Sequence, residues 1–421
     1  MQTAKKYNFI DLFAGAGGLS EGFVQAGFEP IAHIEMNSYA ARTLETRSAY
    51  YYLKSAGQLD LYQAYLRGEI SREAMLGNVP EEFLKTTFCE TMSDETLPSL
   101  FEKIDGIMKD KGTENIDVII GGPPCQAYSL VGRAQSSHMG TPMSEDPRND
   151  LYKLYIRFLR KYQPKMFVFE NVMGITTANK GTTWETIQIS MKLVGYEIEC
   201  HEQNARHFGV LQNRQRMVIV GWLKDSGLNY PDFKEVSVNA VVNDLLVDLP
   251  ALFPGEKSTV YGAIKPSAYV RDHGIRVSSD TLTLHESRPN QERDIAIYKR
   301  AIELWNNGHQ RLNYNDLPDE LKTHKNRTAF LDRFKVVEGD CPFCHTMLAH
   351  ISKDGHYFIH PDIDQHRSIT VREAARIQSF PDSYFFEGPR TAQFVQIGNA
   401  VPPLMAKGIA EGIIAELDRG R

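Results

Sequence analysis

The N-terminal segment holds the pattern that most restricts the fold. Residues 8–13 are predicted to form a strand, Ala14-Gly15-Ala16-Gly17-Gly18 a turn and residues 19–26 a helix, and a second strand over 30–35 ends in Glu35. A strand, a glycine-rich turn, a helix and a strand ending in an acid are typical of the nucleotide-binding half of a doubly wound sheet. We therefore expect an α/β fold in which Glu35 accepts two ribose hydroxyls. A solvated charge at the strand end is the alternative for Glu35.

The same alternation of strands and helices continues to about Trp222. It is interrupted by a predicted helical insertion, about 39–87, and it loosens over 225–365. Regular patterning then returns in a capped helix and a terminal helix. The remaining predicted elements are strands at 117–120, 166–170, 196–203 and 216–221, and helices at 151–162, 182–194, 368–377 and 404–417.

One cysteine follows a predicted strand on a sharp turn. The segment Gly121-Gly122-Pro123-Pro124-Cys125-Gln126 comes directly after the apolar run 117–120. Glycine and proline end the strand and hold the next side chain at a loop tip. A thiol in such a place suits a nucleophile. A buried structural cysteine is the alternative.

Length and composition restrict the class of protein. A chain of 421 residues is expected to form two lobes. Its 5 cysteines lack a secreted spacing pattern, which indicates a reducing, cytoplasmic compartment, and its N-terminus enters a strand too soon for a signal peptide. No apolar run approaches the ~18 residues of a membrane span. The formal charge of −6 does not exclude nucleic acid, because binding requires only a local basic face.

Six segments, in this order, resemble motifs of the cytosine-5 DNA methyltransferase family. They occur within 8–222 and 367–412, over half of the chain. The resemblance implies a Rossmann-like methyltransferase domain that is closed by the C-terminal segment packing beside the first strand. The six segments are Phe9–Gly18, Gly122–Ser129, Glu170–Val172, Gln212–Arg216, Arg372–Arg376 with Phe380–Asp382, and Gly398–Val401.

The resemblance also implies the division of the chain. Residues 1–224 plus 366–421 would form the catalytic domain, and 225–365 a second, smaller target-recognition domain. Within 257–335 there are 14 Lys and Arg against 10 Asp and Glu, which is consistent with phosphate contact. Side chains that could read bases there are Arg288, Asn290, Arg293, Asn326 and Arg327.

Carbon 5 of cytosine is a poor nucleophile, and a thiolate adding at carbon 6 gives it enamine character. By resemblance, Cys125 supplies that thiolate. Glu170 would stand beside N3, protonated or sharing a proton with it. The alternative for Glu170 is an ion pair with Arg214 or Arg216.

The two arginines alternate along a predicted strand edge and should point to the same face. By resemblance, Arg216 would hold the cytosine carbonyl, and Arg214 would support the cysteine loop. A guanidinium suits such contacts because it stays charged and forks onto oxygen. A solvated strand-end pair is the alternative.

The implied cofactor is S-adenosylmethionine, whose sulfonium makes the methyl group electrophilic, so that no metal is needed. The family's acid beside the adenine has no clear match here, and Glu90 or Asp94 could fill that role. Cys341 and Cys344 are half of a zinc motif and are otherwise a loop or strand of the recognition domain. The expected cofactor-binding residues are Phe13, Gly15, Gly17, Gly18, Glu35, Met36, Pro124, Leu151, Asn399 and Val401.

We therefore expect a DNA (cytosine-5)-methyltransferase that acts on double-stranded DNA. Because a stacked base exposes neither face of carbon 6, the target cytosine must be flipped out, and 127–150 would close over it. The expected role is self-marking in restriction-modification or phage defence, by a monomer that works alongside restriction or defence proteins. An RNA cytosine methyltransferase and a catalytically silent DNA-binding homologue are the alternatives.

Overall fold

The computed structural model describes residues 6–123, 151–171 and 181–420. Pro124, Cys125 and the expected closing loop 127–150 lie outside the described residues.

A single twisted sheet organises the described chain. Its strand order is β3-β2-β1-β4-β5-β7-β6. β1 to β5 run parallel, and β7 runs antiparallel to both β5 and β6. This is the doubly wound α/β sheet that the sequence predicts. The strands are β1 Asn8–Leu12, β2 Glu29–Glu35, β3 Thr87–Cys89, β4 Val118–Gly121, β5 Met166–Asn171, β6 Tyr196–Asn204 and β7 Gln215–Leu223.

Helices cover both faces of the sheet and supply most of the material between the strands. No helix in the described ranges is both long enough and apolar enough to cross a membrane. The helices of the first half are α1 Gly18–Gln25, α2 Ser38–Ser55, α3 Leu59–Leu66, α4 Arg72–Leu76, α5 Glu81–Leu84, α6 Leu97–Asp110, α7 Leu151–Tyr162 and α8 Thr182–Leu193. Those of the second half are α9 Ala268–Asp272, α10 Glu292–Gly308, α11 Val371–Ile377, α12 Arg390–Asn399 and α13 Pro403–Arg419.

The central strands are apolar on both faces, as parallel strands between two helical layers must be. Ile10 and Ile119 belong to one core, which α6 and α7 cover. Phe9 and Val118 belong to the core on the opposite face, which α1 and α13 cover. The strand ends are thereby held at one edge of the sheet, where the loops that follow them meet.

The C-terminal helix packs back onto the first helix of the chain. A Cβ atom built on Gly22 of α1 would lie 2.4 Å from the Ala406 Cβ and 2.4 Å from the backbone nitrogen of Lys407 in α13. Only a glycine permits so close an approach without a shift of backbone. The C-terminal helix therefore packs on the first helix, and its apolar residues share a core with Phe9 of the first strand.

Five elements were not predicted from the sequence, namely β3, α6, α9, α10 and α12. β3 has three residues, two half-buried and one exposed, so it carries little apolar pattern. α12 lies between the predicted helices 368–377 and 404–417 and contains the first two residues of the Gly398–Val401 motif. α10 lies within 225–365, where a loosened pattern was expected, and it buries Ile297, Tyr298, Ala301, Ile302 and Trp305.

Substitution of Gly22 by alanine should destabilise the protein, because the added methyl group meets backbone that cannot move freely. Overpacking of this kind costs about 1–3 kcal/mol. Thermal or urea unfolding of the Gly22→Ala variant measures the loss.

Gly106→Ala is the matched control, because Gly106 also lies in a helix and a Cβ there has nothing within 4 Å. It should stabilise by about 0.5–1 kcal/mol through helix propensity. Equal stability of the two variants would contradict the packing argument.

Candidate active site

The glycine turn after β1 is closed by the carboxylate at the end of β2. Glu35 Oε2 accepts a hydrogen bond from the backbone nitrogen of Gly15 at 2.8 Å, and Oε1 accepts one from that of Asn37 at 2.7 Å. Burial raises the pKa of Glu35, while the bonds from Asn37, Gly15 and Met36 oppose that rise. The solvated-charge alternative is thus wrong for Glu35, which is a partly buried acceptor aimed at the turn.

The turn itself is built on glycines for two different reasons. Gly15 and Gly17 have φ of 55° and 78°, in the left-handed region. A Cβ at Gly15 would have nothing within 4 Å, whereas one at Gly17 would lie 2.6 Å from Leu44 Cδ2. A Cβ at Gly18 would lie 2.2 Å from the Val401 carbonyl oxygen. Gly15 therefore borders open space, and Gly17 and Gly18 permit close packing behind it.

The other expected cofactor residues are placed as follows. Phe13 is half-buried with φ of 57°, directly after β1, and Met36 is 64% exposed after Glu35. Leu151 begins α7 and is half-buried. Asn399 ends α12 and is exposed, and Val401 is buried against Gly18. Pro124 lies outside the described residues.

Of the two acids considered for the adenine, Glu90 lies next to the site. It follows β3 directly, and its backbone nitrogen donates to the Glu35 carbonyl at 3.1 Å. Its carboxylate pairs with Lys103. Asp94 is 76% exposed and pairs with Arg157 at 2.5 Å. Glu90 is therefore the better placed of the two.

Asp11, a residue that sequence reasoning did not single out, is buried in β1 opposite Ile120 of β4. Neither of its carboxylate oxygens has a hydrogen-bond partner among the described residues. Burial raises the pKa of Asp11 well above its usual value, and the nearby Glu35 adds to that rise. An acid inside an otherwise apolar strand is the signal in the sequence that could have identified it.

Glu170 and Arg216 form an ion pair at the end of β5. The Arg216 Nε lies 2.8 Å from the Glu170 Oε1, and both side chains are 13% exposed. A Cβ at Gly122 would lie 2.9 Å from the Glu170 Oε2, so the carboxylate borders the backbone three residues before Cys125. The ion-pair alternative for Glu170 is therefore present, and it involves Arg216.

Arg214 is completely buried just before β7. Its guanidinium donates to the carbonyl oxygens of Met347 at 2.7 Å, Ala400 at 2.9 Å and Gly398 at 3.2 Å. Burial lowers the pKa of Arg214 well below its usual range; Arg216 adds to this effect and Glu170 opposes it. The solvated-pair alternative is wrong, because Arg214 is a buried tie between chain segments. The expected support of the cysteine loop stays a prediction, since that loop lies outside the described residues.

Gln212, which sequence reasoning quoted only as part of a motif, makes a second buried tie. Its side chain donates to Gln378 Oε1 at 2.8 Å and accepts from the Met347 backbone nitrogen at 2.8 Å. The segment after Cys341 runs beside it, with the Cys344 nitrogen donating to the Leu211 carbonyl at 3.1 Å. This segment therefore joins 225–365 to the start of β7.

Cys341 and Cys344 lie in the segment that packs against Leu211, and the described residues around them form no set of metal ligands. Cys344 is buried, and burial raises the pKa of its thiol well above the usual value. His345 is held by Glu338 at 2.7 Å and by the Tyr357 carbonyl at 2.8 Å. Within the described ranges, no three His, Cys, Asp or Glu side chains gather as a metal site.

The five expected base-reading side chains differ in how far they are engaged within the protein. Arg288 donates to the carbonyls of Ile351 and Lys353, and Asn290 is half-buried near Tyr298. Arg293 pairs with Asp294 at 3.5 Å. Asn326 and Arg327 lie in an exposed loop, where Asn326 accepts two backbone hydrogen bonds.

Comparison with known proteins identifies the family of the chain. The sequence model of the family described as C-5 cytosine-specific DNA methylase matches residues 7–61 and 73–415. The Type II methyltransferase M.Bpa9945I of Bacillus paralicheniformis is 44% identical, over 96% of this chain and 98% of that protein. The Type II methyltransferase M1.HphI of Haemophilus parahaemolyticus is 31% identical, over 96% of this chain and 86% of that protein.

A solved structure shows the same fold. It is that of a candidate DNA modification methyltransferase encoded within an E. coli prophage, with a TM-score of 0.63 at 23% identity, covering 98% of this chain and all of that one. The chain belongs to the C-5 cytosine-specific DNA methylase family, and it is a DNA (cytosine-5-)-methyltransferase.

Replacing Arg214 by methionine should destabilise the fold strongly, because the buried carbonyls of Met347 and Gly398 lose this donor and that of Ala400 keeps only Gln378 at 3.2 Å. The expected loss is about 2–4 kcal/mol, since each unsatisfied buried group costs about 1–3 kcal/mol before relaxation. Urea unfolding measures it.

Arg157→Met is the control, because Arg157 is a 49% exposed arginine in a surface pair with Asp94. It should cost no more than about 1 kcal/mol. An Arg214→Met protein as stable as the control would show that the buried ties carry no weight.

Proposed function

We propose that this enzyme methylates carbon 5 of a cytosine flipped out of duplex DNA, with S-adenosylmethionine as donor. The observation that carries the proposal is the position of Glu170, whose Oε2 lies against Gly122 at the end of β4 while Oε1 holds Arg216. A carboxylate and a guanidinium thus stand together beside the backbone that leads into Cys125. Such a pair can form hydrogen bonds to the ring nitrogen and the carbonyl of one pyrimidine.

The residues around Gly15 fit the donor. Glu35 presents a carboxylate that already orients the turn, and ribose hydroxyls are donors it can accept. Open space at the Gly15 Cβ position lets a bound group approach the backbone closely. Phe13 and the exposed Met36 would contact the adenine, and Glu90 follows β3 beside Glu35. When bound, the sulfonium supplies an electrophilic methyl group.

The proposed chemistry starts from Cys125. Its thiolate forms a bond to carbon 6, and the electron pair of the 5,6 double bond becomes available at carbon 5. The residues around Gly15 would hold the donor, which would supply its methyl group to carbon 5 and leave as a neutral thioether. Water would then accept the proton from carbon 5, and the electron pair of that C–H bond would restore the 5,6 double bond as the thiolate leaves carbon 6. Each bond made is thereby matched by one broken, and no oxidant or metal enters.

Glu170 and Arg216 serve the addition step in this proposal. Addition at carbon 6 moves charge onto N3 and the adjacent carbonyl of the ring. Glu170 would give or share a proton at N3, and Arg216 would donate to the carbonyl oxygen. Their mutual bond at 2.8 Å must then loosen when the base arrives, so that each group turns one partner toward the pyrimidine. Arg214 keeps the start of β7, and with it Arg216, in place.

We also propose the division of labour along the chain. Residues 1–224 plus 366–421 would catalyse, with the insertion of about 39–87, and 225–365 would read the target sequence. Residues 127–150 would close over the flipped base. The relatives named as Type II methyltransferases support a self-marking role in restriction-modification, in which nuclease or defence proteins act on unmarked DNA.

The Cys125→Ser variant tests the nucleophile. Transfer of tritiated methyl to duplex DNA should fall by at least about a thousandfold, because a hydroxyl is a far weaker nucleophile than a thiolate. Wild-type enzyme should form a covalent complex with 5-fluorocytosine DNA, and the variant should not.

Cys200→Ser is the matched control, since Cys200 is a half-buried thiol in β6, and it should transfer normally. Normal transfer by Cys125→Ser would overturn the assignment. Uptake by tRNA but not by duplex DNA would favour the RNA alternative. Bisulfite sequencing of a host that carries the gene would then locate the methylated site.

The affinity for the donor should depend on pH through Glu35. Because burial raises its pKa, protonation begins at a pH above the 4.5 of an ordinary glutamate. A protonated Glu35 is a poorer acceptor for ribose hydroxyls. Binding of S-adenosylhomocysteine should therefore weaken as the pH falls toward and below the pKa of Glu35. Calorimetric titration between pH 8 and pH 5 measures it.

Glu35→Gln should bind more weakly than wild type at pH 8 and should not show this decline. If both proteins weaken in parallel as the pH falls, another group is responsible and the ribose role of Glu35 is wrong.

A further inference from the structure

A cationic loop in 225–365 presents an exposed aromatic side chain. Residues 323–330 are all exposed. The segment 321–331 holds Lys325 and Arg327 and no Asp or Glu, and it also holds Lys322, which pairs with Asp319 at 3.1 Å. At its end Phe330 is 72% exposed, although a side chain of this size gains by burial. A single exposed hydrophobic residue is ordinary, so the argument rests on how the loop holds this one.

The backbone of the loop is held from within. Asn326 Oδ1 accepts from the backbone nitrogens of Thr328 at 3.0 Å and Ala329 at 2.9 Å. Arg333 donates to the carbonyl oxygens of Phe330 at 2.9 Å, Asn326 at 2.9 Å and Ala329 at 3.1 Å. These bonds define the loop without any contribution from the phenyl ring.

Tyr314 anchors the loop to a buried core. It is completely buried and stacks on Phe334 with ring centroids 6.0 Å apart. The guanidinium groups of Arg333 and Arg327 lie 4.1 Å and 5.1 Å from its ring centroid. Its hydroxyl accepts from the backbone nitrogen of His324 at 2.8 Å. The loop is thus pre-ordered on a rigid base, which lowers the entropic cost of using it to bind.

Phe330 itself is in a costly conformation. Its φ is 54°, in the left-handed region, where a bulky side chain is strained. Strain of this kind costs of order 1–3 kcal/mol and persists where the surroundings impose it. Here Arg333 imposes it through the Phe330 carbonyl, and the ring is left outside the core rather than in it.

We propose that Phe330 stacks on a base of the bound duplex DNA, while the cations beside it contact phosphates. The proposal rests on the function proposed above and names the residue of 225–365 that would engage bases by their faces. The chemistry fits one partner, because cations match the phosphate backbone and an exposed ring matches an apolar base face. Apolar side chains that insert at base steps act in this way in proteins that deform DNA. A second copy of this chain is disfavoured, since two such cationic loops repel each other.

The Phe330→Ala variant tests the proposal through the salt dependence of duplex binding. The dissociation constant is measured at several salt concentrations by fluorescence anisotropy. The labelled duplex carries the target sequence that bisulfite sequencing locates. Loss of stacking should weaken binding roughly 5- to 150-fold. The slope of log K against log salt should not change, because the ring contacts no phosphate. Lys325→Gln should instead weaken binding with a slope smaller by about one.

Controls separate stacking from folding. Phe253→Ala removes a phenyl ring that is 60% exposed elsewhere in 225–365, and it should bind duplex like wild type. Phe330→Trp should keep affinity within about twofold of wild type, and its added emission should be quenched by duplex DNA, whereas that of Phe253→Trp should not. Melting temperatures of all variants should agree with wild type.

Wild-type affinity in Phe330→Ala, equal weakening in Phe253→Ala or unquenched emission in Phe330→Trp would each overturn the proposal. So would self-association of the wild type that is lost in Phe330→Ala while DNA affinity is unchanged. Methyl transfer by the wild type separates failure of the stacking role from failure of the proposed function. If transfer to duplex DNA occurs and Phe330→Ala binds normally, only the stacking role of Phe330 is wrong. A wild type that neither binds nor methylates duplex DNA overturns both.

Discussion

The buried guanidinium of Arg214 is the interaction on which the arrangement of the site depends. A charge without a carboxylate partner is expensive to remove from water unless its donors find acceptors. The two terminal nitrogens of Arg214 do so, whereas its Nε has no partner among the described residues. Here the acceptors are carbonyl oxygens of Met347, Gly398 and Ala400, which come from two distant parts of the chain. Because those carbonyls have the same need for a donor, each segment holds the others in place. Because Arg214 fixes the start of β7, Arg216, two residues further on, is held beside Glu170.

The second constraint is the topology of the sheet. Strand order reverses between β1 and β4, which lie side by side although 105 residues separate Leu12 from Val118. In doubly wound sheets, ligands bind outside the carboxyl ends of the strands at such a point. The Gly15 turn follows β1, and the backbone leading to Cys125 follows β4. The proposed donor and nucleophile sites are therefore neighbours for a topological reason, and Glu35 and Glu170 close them from β2 and β5.

The sequence predicted strands correctly where the apolar pattern was strong, and it missed elements whose formation depends on tertiary packing. The strands at 8–13 and 166–170 are apolar runs bounded by glycine, proline or acid, and the structure agrees within one residue at most boundaries. β3 was missed because a three-residue edge strand has almost no periodicity. Glu35 and Glu170 were chosen as candidates because an acid at the end of a buried strand is conspicuous. Asp11 was not chosen, although an acid within an apolar strand was a usable signal, because only strand ends were searched for functional residues.

The sequence by itself determined the α/β alternation, the glycine turn and the order of the motif residues, because these depend on local periodicity and on residues with special backbone freedom. Only the tertiary structure decided that Glu170 pairs with Arg216 and that Arg214 is a buried tie, since both depend on groups far away in sequence. The tertiary structure also decided that the segment around Cys344 pairs with Leu211 through a backbone hydrogen bond. The physical reason is that long-range partners are chosen by burial and geometry, which no window of neighbouring residues records.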